Sequence, residues 1–230
     1  MAYKSRSELP SPFPSGVHFF ASSIPEPLLA LPEEEAATSA ISSSSRLKEF
    51  RRGRHCTRQV LQQLQINLPV LRNPDTREPL WPKGIVGSIT HSGGWAATAV
   101  ASTSVATAIG IDLEQIDRSI NPGIIRLVCT EDEKIWLSNL DSLQADLGLK
   151  TIFSAKESIY KCLFPHCRIP LTFQDATVSV FPDWKGFRFQ MNRLCPPLIT
   201  SLKAWSDGVL SLNSNTILSG VVINSLKSAR

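Results

Sequence analysis

The chain has 230 residues, of which 42% are hydrophobic and 19% charged, with 24 Lys+Arg against 20 Asp+Glu. That is enough apolar material for a large domain or two small ones, and it excludes a disordered polyelectrolyte. A net charge of +4 suits an anionic small molecule or an acidic protein partner, and it gives no case for nucleic acid.

In chain order, residues 1–15 form a polar, proline-rich arm, and no signal peptide is read there because Pro10, Pro12 and Pro14 break the segment. Val17 to Phe20 starts a strand. Pro25 to Ser45 is a loop with one helical turn near Glu33-Glu34-Glu35. Arg46 to Leu64 reads as an amphipathic helix with Leu47, Phe50, Val60, Leu61 and Leu64 on its apolar side. Pro69 to Lys83 is a loop. Strands follow over Ile85–Thr90, Trp95–Ser102 and Ala106–Leu113. The uncharged stretch Gly84–Ile111 could span a bilayer by length. Its eight Ser/Thr residues and the break Ser92-Gly93-Gly94 favour buried strands and turns instead, so no membrane segment is expected.

Thr130 starts a helix toward Leu140, with Glu133 at the capping-box position. Thr151–Phe164 is the next helix. Short strands are expected over Ala176–Phe181, Phe187–Met191, Leu198–Trp205, Val209–Leu212 and Ile217–Ile223. The order predicts an α/β (α+β) chain of two similar halves, 16–104 and 105–226, joined near Ala101–Ala108. The five cysteines are odd in number and form no CxxC pair, which fits reduced thiols in the cytoplasm.

Four segments carry chemistry. Asp112 and Glu114 lie two apart on a strand, so both carboxylates face one side, a seat for a hard divalent cation or merely a solvated strand end. Glu157 and Lys161 are i, i+4 on a helix, the spacing of an ordinary ion pair. The run Gly87 to Gly94 could hold phosphate through backbone N–H groups and hydroxyls, with His91 as a further donor. Arg46 and Arg54, eight residues apart, share roughly one side of their helix, and guanidinium groups suit phosphate as readily as solvent.

The order of these segments is more specific than any one of them. Phe50-Arg51-Arg52-Gly53-Arg54, Trp81-Pro82, Gly87-Ser88-Ile89-Thr90-His91-Ser92, Gly110-Ile111-Asp112-Leu113-Glu114 and Phe153-Ser154-Ala155-Lys156-Glu157-Ser158-Ile159-Tyr160-Lys161 follow one another. In this the chain resembles the 4′-phosphopantetheinyl transferases, over about residues 46 to 165, and most closely the enterobactin-synthase-associated type. The resemblance implies one chain folded as two halves related by a pseudo-twofold axis, acting as a monomer with coenzyme A in the cleft. It implies transfer of phosphopantetheine from coenzyme A to a serine of an acyl or peptidyl carrier protein, releasing adenosine 3′,5′-bisphosphate. Siderophore and other secondary-metabolite pathways are the expected setting.

By the same resemblance, Asp112, Glu114 and Glu157 hold Mg²⁺, with Mn²⁺ as a substitute. Glu157, or a water on the metal, takes the serine proton, and Lys161 or Lys156 neutralises the leaving phosphate. Arg46, Arg54, Arg77, Thr90, His91 and Lys156 contact coenzyme A, while Glu133 stays outside the ligand set. Asn73-Pro74-Asp75-Thr76 departs from the pattern, since relatives carry more lysine or arginine there. Two other readings use the same residues. A metal-dependent phosphohydrolase would cleave coenzyme A or a nucleotide without a carrier, and a docking module would bind without catalysis.

Overall fold

The computed structural model describes residues 9–23, 31–36, 38, 41, 43–118, 120–193 and 205–225. Residues 198–204 of the predicted strand Leu198–Trp205 and residues 1–8 of the predicted arm lie outside them. The chain divides into two compact units, Met1–Ile109 with Asn224–Arg230, and Gly110–Ile223.

The first unit holds a three-stranded antiparallel sheet of β1 (His18–Ser22), β5 (Trp95–Ser102) and β4 (Ile85–Ser92), in the order β1-β5-β4. Helix α2 (Ser44–Gln63) packs on it, preceded by the short α1 (Pro32–Ala36). Ser43 caps α2 by accepting the Arg46 N–H. Gly53 lets α2 come close, because a Cβ there would stand 3.0 Å from Ile89 Cγ2. Val60, Leu61, Cys56, Ala97 and Ala99 are buried in this unit. A small ribbon, β2 (Leu71–Arg72) with β3 (Pro79–Leu80), interrupts the predicted loop.

The five-stranded sheet has the order β6-β10-β9-β8-β7: β6 (Ala106–Gln115), β10 (Thr216–Asn224), β9 (Ser206–Leu212), β8 (Gly186–Met191) and β7 (Ala176–Val180). The β10–β9, β9–β8 and β8–β7 pairs run antiparallel. Between β6 and β7 come α3 (Ile125–Val128), α4 (Glu131–Ser138) and the 26-residue α5 (Ser142–Cys167). Helix α5 lies against the sheet, where Ser154 Oγ and Ser219 Oγ of β10 are 2.9 Å apart. Each unit therefore sets one long helix on an antiparallel sheet, the mixed architecture that the element order predicts.

Candidate functional site

In the second unit, β6 and α5 bring the acidic and basic candidates together. A Cβ on Gly110 would lie 1.9 Å from Ser158 O and 2.4 Å from Cys162 N, so only glycine lets the strand meet the helix backbone there. Asp112 and Glu114 follow on the same side of β6 at two-residue steps. Lys161 of α5 reaches Asp112, Nζ to Oδ1 2.5 Å. The chain leaving β6 is fastened to the same helix, because buried Lys150 donates to Ile116 O and to Asp146.

Electrostatics join these groups into one cluster. Burial pushes the Glu114 carboxyl up to about 7; the Asp112 charge adds to this, Arg118 and Lys161 oppose it, and Glu157 adds a little more. Glu157 is also pushed up, first by burial, with Asp112 adding to the shift and Lys161 opposing it. Three carboxylates thus share too little positive charge. Among the described residues no three or more His, Cys, Asp or Glu side chains are grouped closely enough to hold a metal ion by themselves. Carboxylate oxygens are the hard donors that Mg²⁺ takes, commonly one or two from a protein beside waters and substrate phosphates.

A pocket of about 320 Å³ opens beside Glu157. Leu127, Ile159, Leu171, Phe173 and Met191 make it mostly apolar, and Lys156 and Thr172 also line it. Lys156 itself is turned into the interior, where its ammonium donates to Glu133, Val128 O and Phe173 O.

The first unit carries a cluster of arginines. Arg54 on α2 is 4% exposed, its guanidinium stacks over the Phe50 ring at 4.7 Å, and Nη2 lies 3.5 Å from Leu71 O. Its Nε and Nη1 are buried with no hydrogen-bond partner. Burial lowers its pKa to about 10, Glu34 opposing and Arg72 and Arg58 reinforcing, so it stays charged at neutral pH. Arg72 on β2 is lowered by burial and then by Arg77 and Arg46. Arg46, Arg72 and Arg77 therefore crowd one region, which an anion would relieve. Arg77 adopts the left-handed conformation, φ 63°, in the turn that joins β2 to β3. Arg72 is missing from the residues picked out by sequence; Arg-x4-Arg flanking a Pro-Asp turn is the only sign of it.

Thr90 and His91 do not sit in a glycine-rich loop. Gly87 to Ser92 belong to strand β4, and the turn is confined to Gly93 and Gly94, both at positive φ. Gly87 serves close packing instead, since a Cβ there would meet Ala99 O at 2.7 Å and Trp81 at 2.8 Å. Strand alternation puts Thr90, 3% exposed, and His91, exposed, on opposite faces. His91 Nδ1 lies 3.5 Å from Glu49 on α2.

Residues 33–101 match the family model described as 4′-phosphopantetheinyl transferase N-terminal domain, and residues 108–215 match the 4′-phosphopantetheinyl transferase superfamily. The chain is 35% identical to 4′-phosphopantetheinyl transferase Svp of Streptomyces mobaraensis over 72% of this chain and 68% of that one. It is 34% identical to PptT of Mycobacterium tuberculosis, covering 79% and 83%. Enterobactin synthase component D of Salmonella typhimurium is 35% identical, covering 75% and 73%. The solved holo-[acyl-carrier-protein] synthase of Thermotoga maritima superposes with a TM-score of 0.42, at 15% identity, over 54% of this chain and 66% of its own. Two family models that together span most of the chain, and relatives aligned over more than two thirds of their own length, lead to one assignment: the chain belongs to the 4′-phosphopantetheinyl transferases and is a transferase enzyme.

Proposed function

We propose that this enzyme takes the phosphopantetheine arm from coenzyme A and joins it to a serine hydroxyl of an apo acyl or peptidyl carrier protein, with Mg²⁺ required. Adenosine 3′,5′-bisphosphate leaves. The observation that carries the reading is the cluster of Asp112, Glu114 and Glu157, where Glu114 is pushed up to about 7 and a cation would restore the charge balance. These three carboxylates would hold the ion. When bound, it would draw charge from the pyrophosphate whose bond is broken.

The chain's own residues supply the rest. Glu157 accepts the serine proton; burial raises its carboxyl and so brings a general base nearer its working pH. Lys161 leaves Asp112 when the site is loaded and turns its ammonium to the departing phosphate. The apolar pocket beside Glu157 suits the pantetheine arm, which is a mostly aliphatic chain with two amides. Arg54, with two buried nitrogens awaiting acceptors, and Arg46, Arg72 and Arg77 receive a phosphate of coenzyme A. His91 donates to the same ligand, oriented by Glu49.

The likeness to enterobactin synthase component D supports a siderophore carrier among the substrates. Cytoplasmic residence is supported by the buried thiols Cys56, Cys129 and Cys162, none of them in a disulfide. Among the described residues no helix is long and apolar enough to cross a membrane. Chromatographic measurement of adenosine 3′,5′-bisphosphate, with and without apo-carrier, tests the reading. Release that depends on carrier supports transfer. Equal release without carrier moves the enzyme to the hydrolase reading.

A further inference from the structure

Directly before Glu157 on α5 stands a lysine whose surroundings do not resemble a ligand site. Lys156 Nζ donates to Glu133 Oε2 at 2.7 Å, to Val128 O at 2.7 Å and to Phe173 O at 2.8 Å. An ammonium has three N–H groups, and all three are spent on protein acceptors. Its partner is equally engaged. Glu133 Oε2 also accepts the Thr130 N–H and Oε1 accepts the Val178 N–H, each at 2.7 Å. The two side chains are 2% and 1% exposed.

These bonds converge from separate pieces of the second unit. Val128 ends α3, Thr130 and Glu133 begin α4, Phe173 opens the turn before β7, and Val178 lies within β7. Leu127, Phe173 and Ala176, which line the pocket beside Glu157, belong to those same pieces. For Lys156 to reach a phosphate it would have to abandon a buried carboxylate and two buried carbonyls, each costly to leave unpaired.

We infer that Lys156 and Glu133 form a buried positioning pair, which clamps the pocket walls to α5 and fixes the helical turn presenting Glu157, and that the Lys156 ammonium makes no contact with a phosphate of coenzyme A. The inference rests on the proposed role of Glu157 for its catalytic consequence, while the pairing itself does not.

The test compares Lys156→Met, Glu133→Gln and the double variant with the parent, by thermal melting, coenzyme A calorimetry and carrier modification kinetics. Each single variant is expected to lower the melting temperature sharply, because it strands a buried partner. The double variant should recover much of that loss, hold its coenzyme A Kd near the parent's, and lose kcat for carrier modification. A Kd raised about tenfold or more in the folded double variant would overturn the inference and make Lys156 a phosphate contact. So would singles whose melting losses simply add. If the double variant does not fold, Lys156→Arg decides. A bulkier cation in three converging bonds should lower the melting temperature, whereas an unchanged melting temperature would show the lysine is not clamped. If the parent modifies no carrier, the proposed function fails, and the melting cycle still judges the pair.

Discussion

Glu114 senses both of its acidic neighbours, and its protonation can be read as stability. Its folded pKa, about 7, exceeds the ordinary value near 4.5, so the folded state binds a proton more tightly than the unfolded chain does. Between these values stability must fall as pH rises, because fewer protons are bound by the unfolded state than by the folded one. Metal-free protein melted from pH 4.5 to 7 should therefore lose stability through this group, and Mg²⁺ should reduce the loss at the upper end. Asp112→Asn removes a neighbouring charge and should shift Glu114 downward in a carboxyl NMR titration. Asp112→Ala should abolish transfer with little change in metal-free melting, since the released Lys161 is partly exposed and can be solvated. Gross unfolding would instead make Asp112 structural. In the first unit, Arg54→Met should cost coenzyme A affinity about 1.5–3 kcal/mol if the guanidinium bonds phosphate. The same change removes a buried charge with unsatisfied nitrogens, so the ligand-free protein should hold or gain stability in urea titration. Unchanged affinity in a folded variant would take Arg54 out of the phosphate site.

At the scale of elements, the contact of β6 with α5 sets the distance between Asp112 and Lys161. Gly110→Ala would drive a methyl into the Ser158 carbonyl and the Cys162 nitrogen, with no flexible side chain to yield. It should cost about 3 kcal/mol or more, read by denaturant melts, and activity should fall with it. The helix start offers a contrast. Asp141 caps α5 by accepting the Leu143 and Gln144 N–H groups at 3.0 and 2.9 Å. Asp141→Ala should cost about 1 kcal/mol and leave kcat near the parent's, because the reactive residues lie four turns away. Sequence reasoning starts this helix at Thr151, nine residues late. The missed stretch includes Gly148, which lets α5 pass Leu137 and Trp136, where a Cβ would stand 2.8 and 3.0 Å away. Helix α4, by contrast, is legible from Thr130 and Glu133 alone, since a capping carboxylate is a local signal.

For the whole molecule, the ordered motifs between residues 46 and 165 suffice to identify the family, and the alternation of helix and strand suffices for the mixed architecture. What stays hidden is pairing between distant positions. Nothing local shows that Lys156 spends its charge on Glu133, or that Arg72 joins Arg46 and Arg77. Such contacts depend on which strands and turns the fold brings side by side. Ligand-linked stability should reveal both sites at once. Mg²⁺ with coenzyme A should raise the melting temperature of the parent by an amount that follows ligand affinity for the folded state, and Asp112→Ala should lose most of that rise.

The most direct measurement is the intact mass of an apo-carrier protein after incubation with this enzyme, coenzyme A and Mg²⁺, with chelator and Glu157→Gln as controls. The proposed function predicts a gain of one phosphopantetheine on the carrier with the parent enzyme and metal, and no gain under either control. An unmodified carrier in the presence of bound coenzyme A, or full modification by Glu157→Gln, would contradict it.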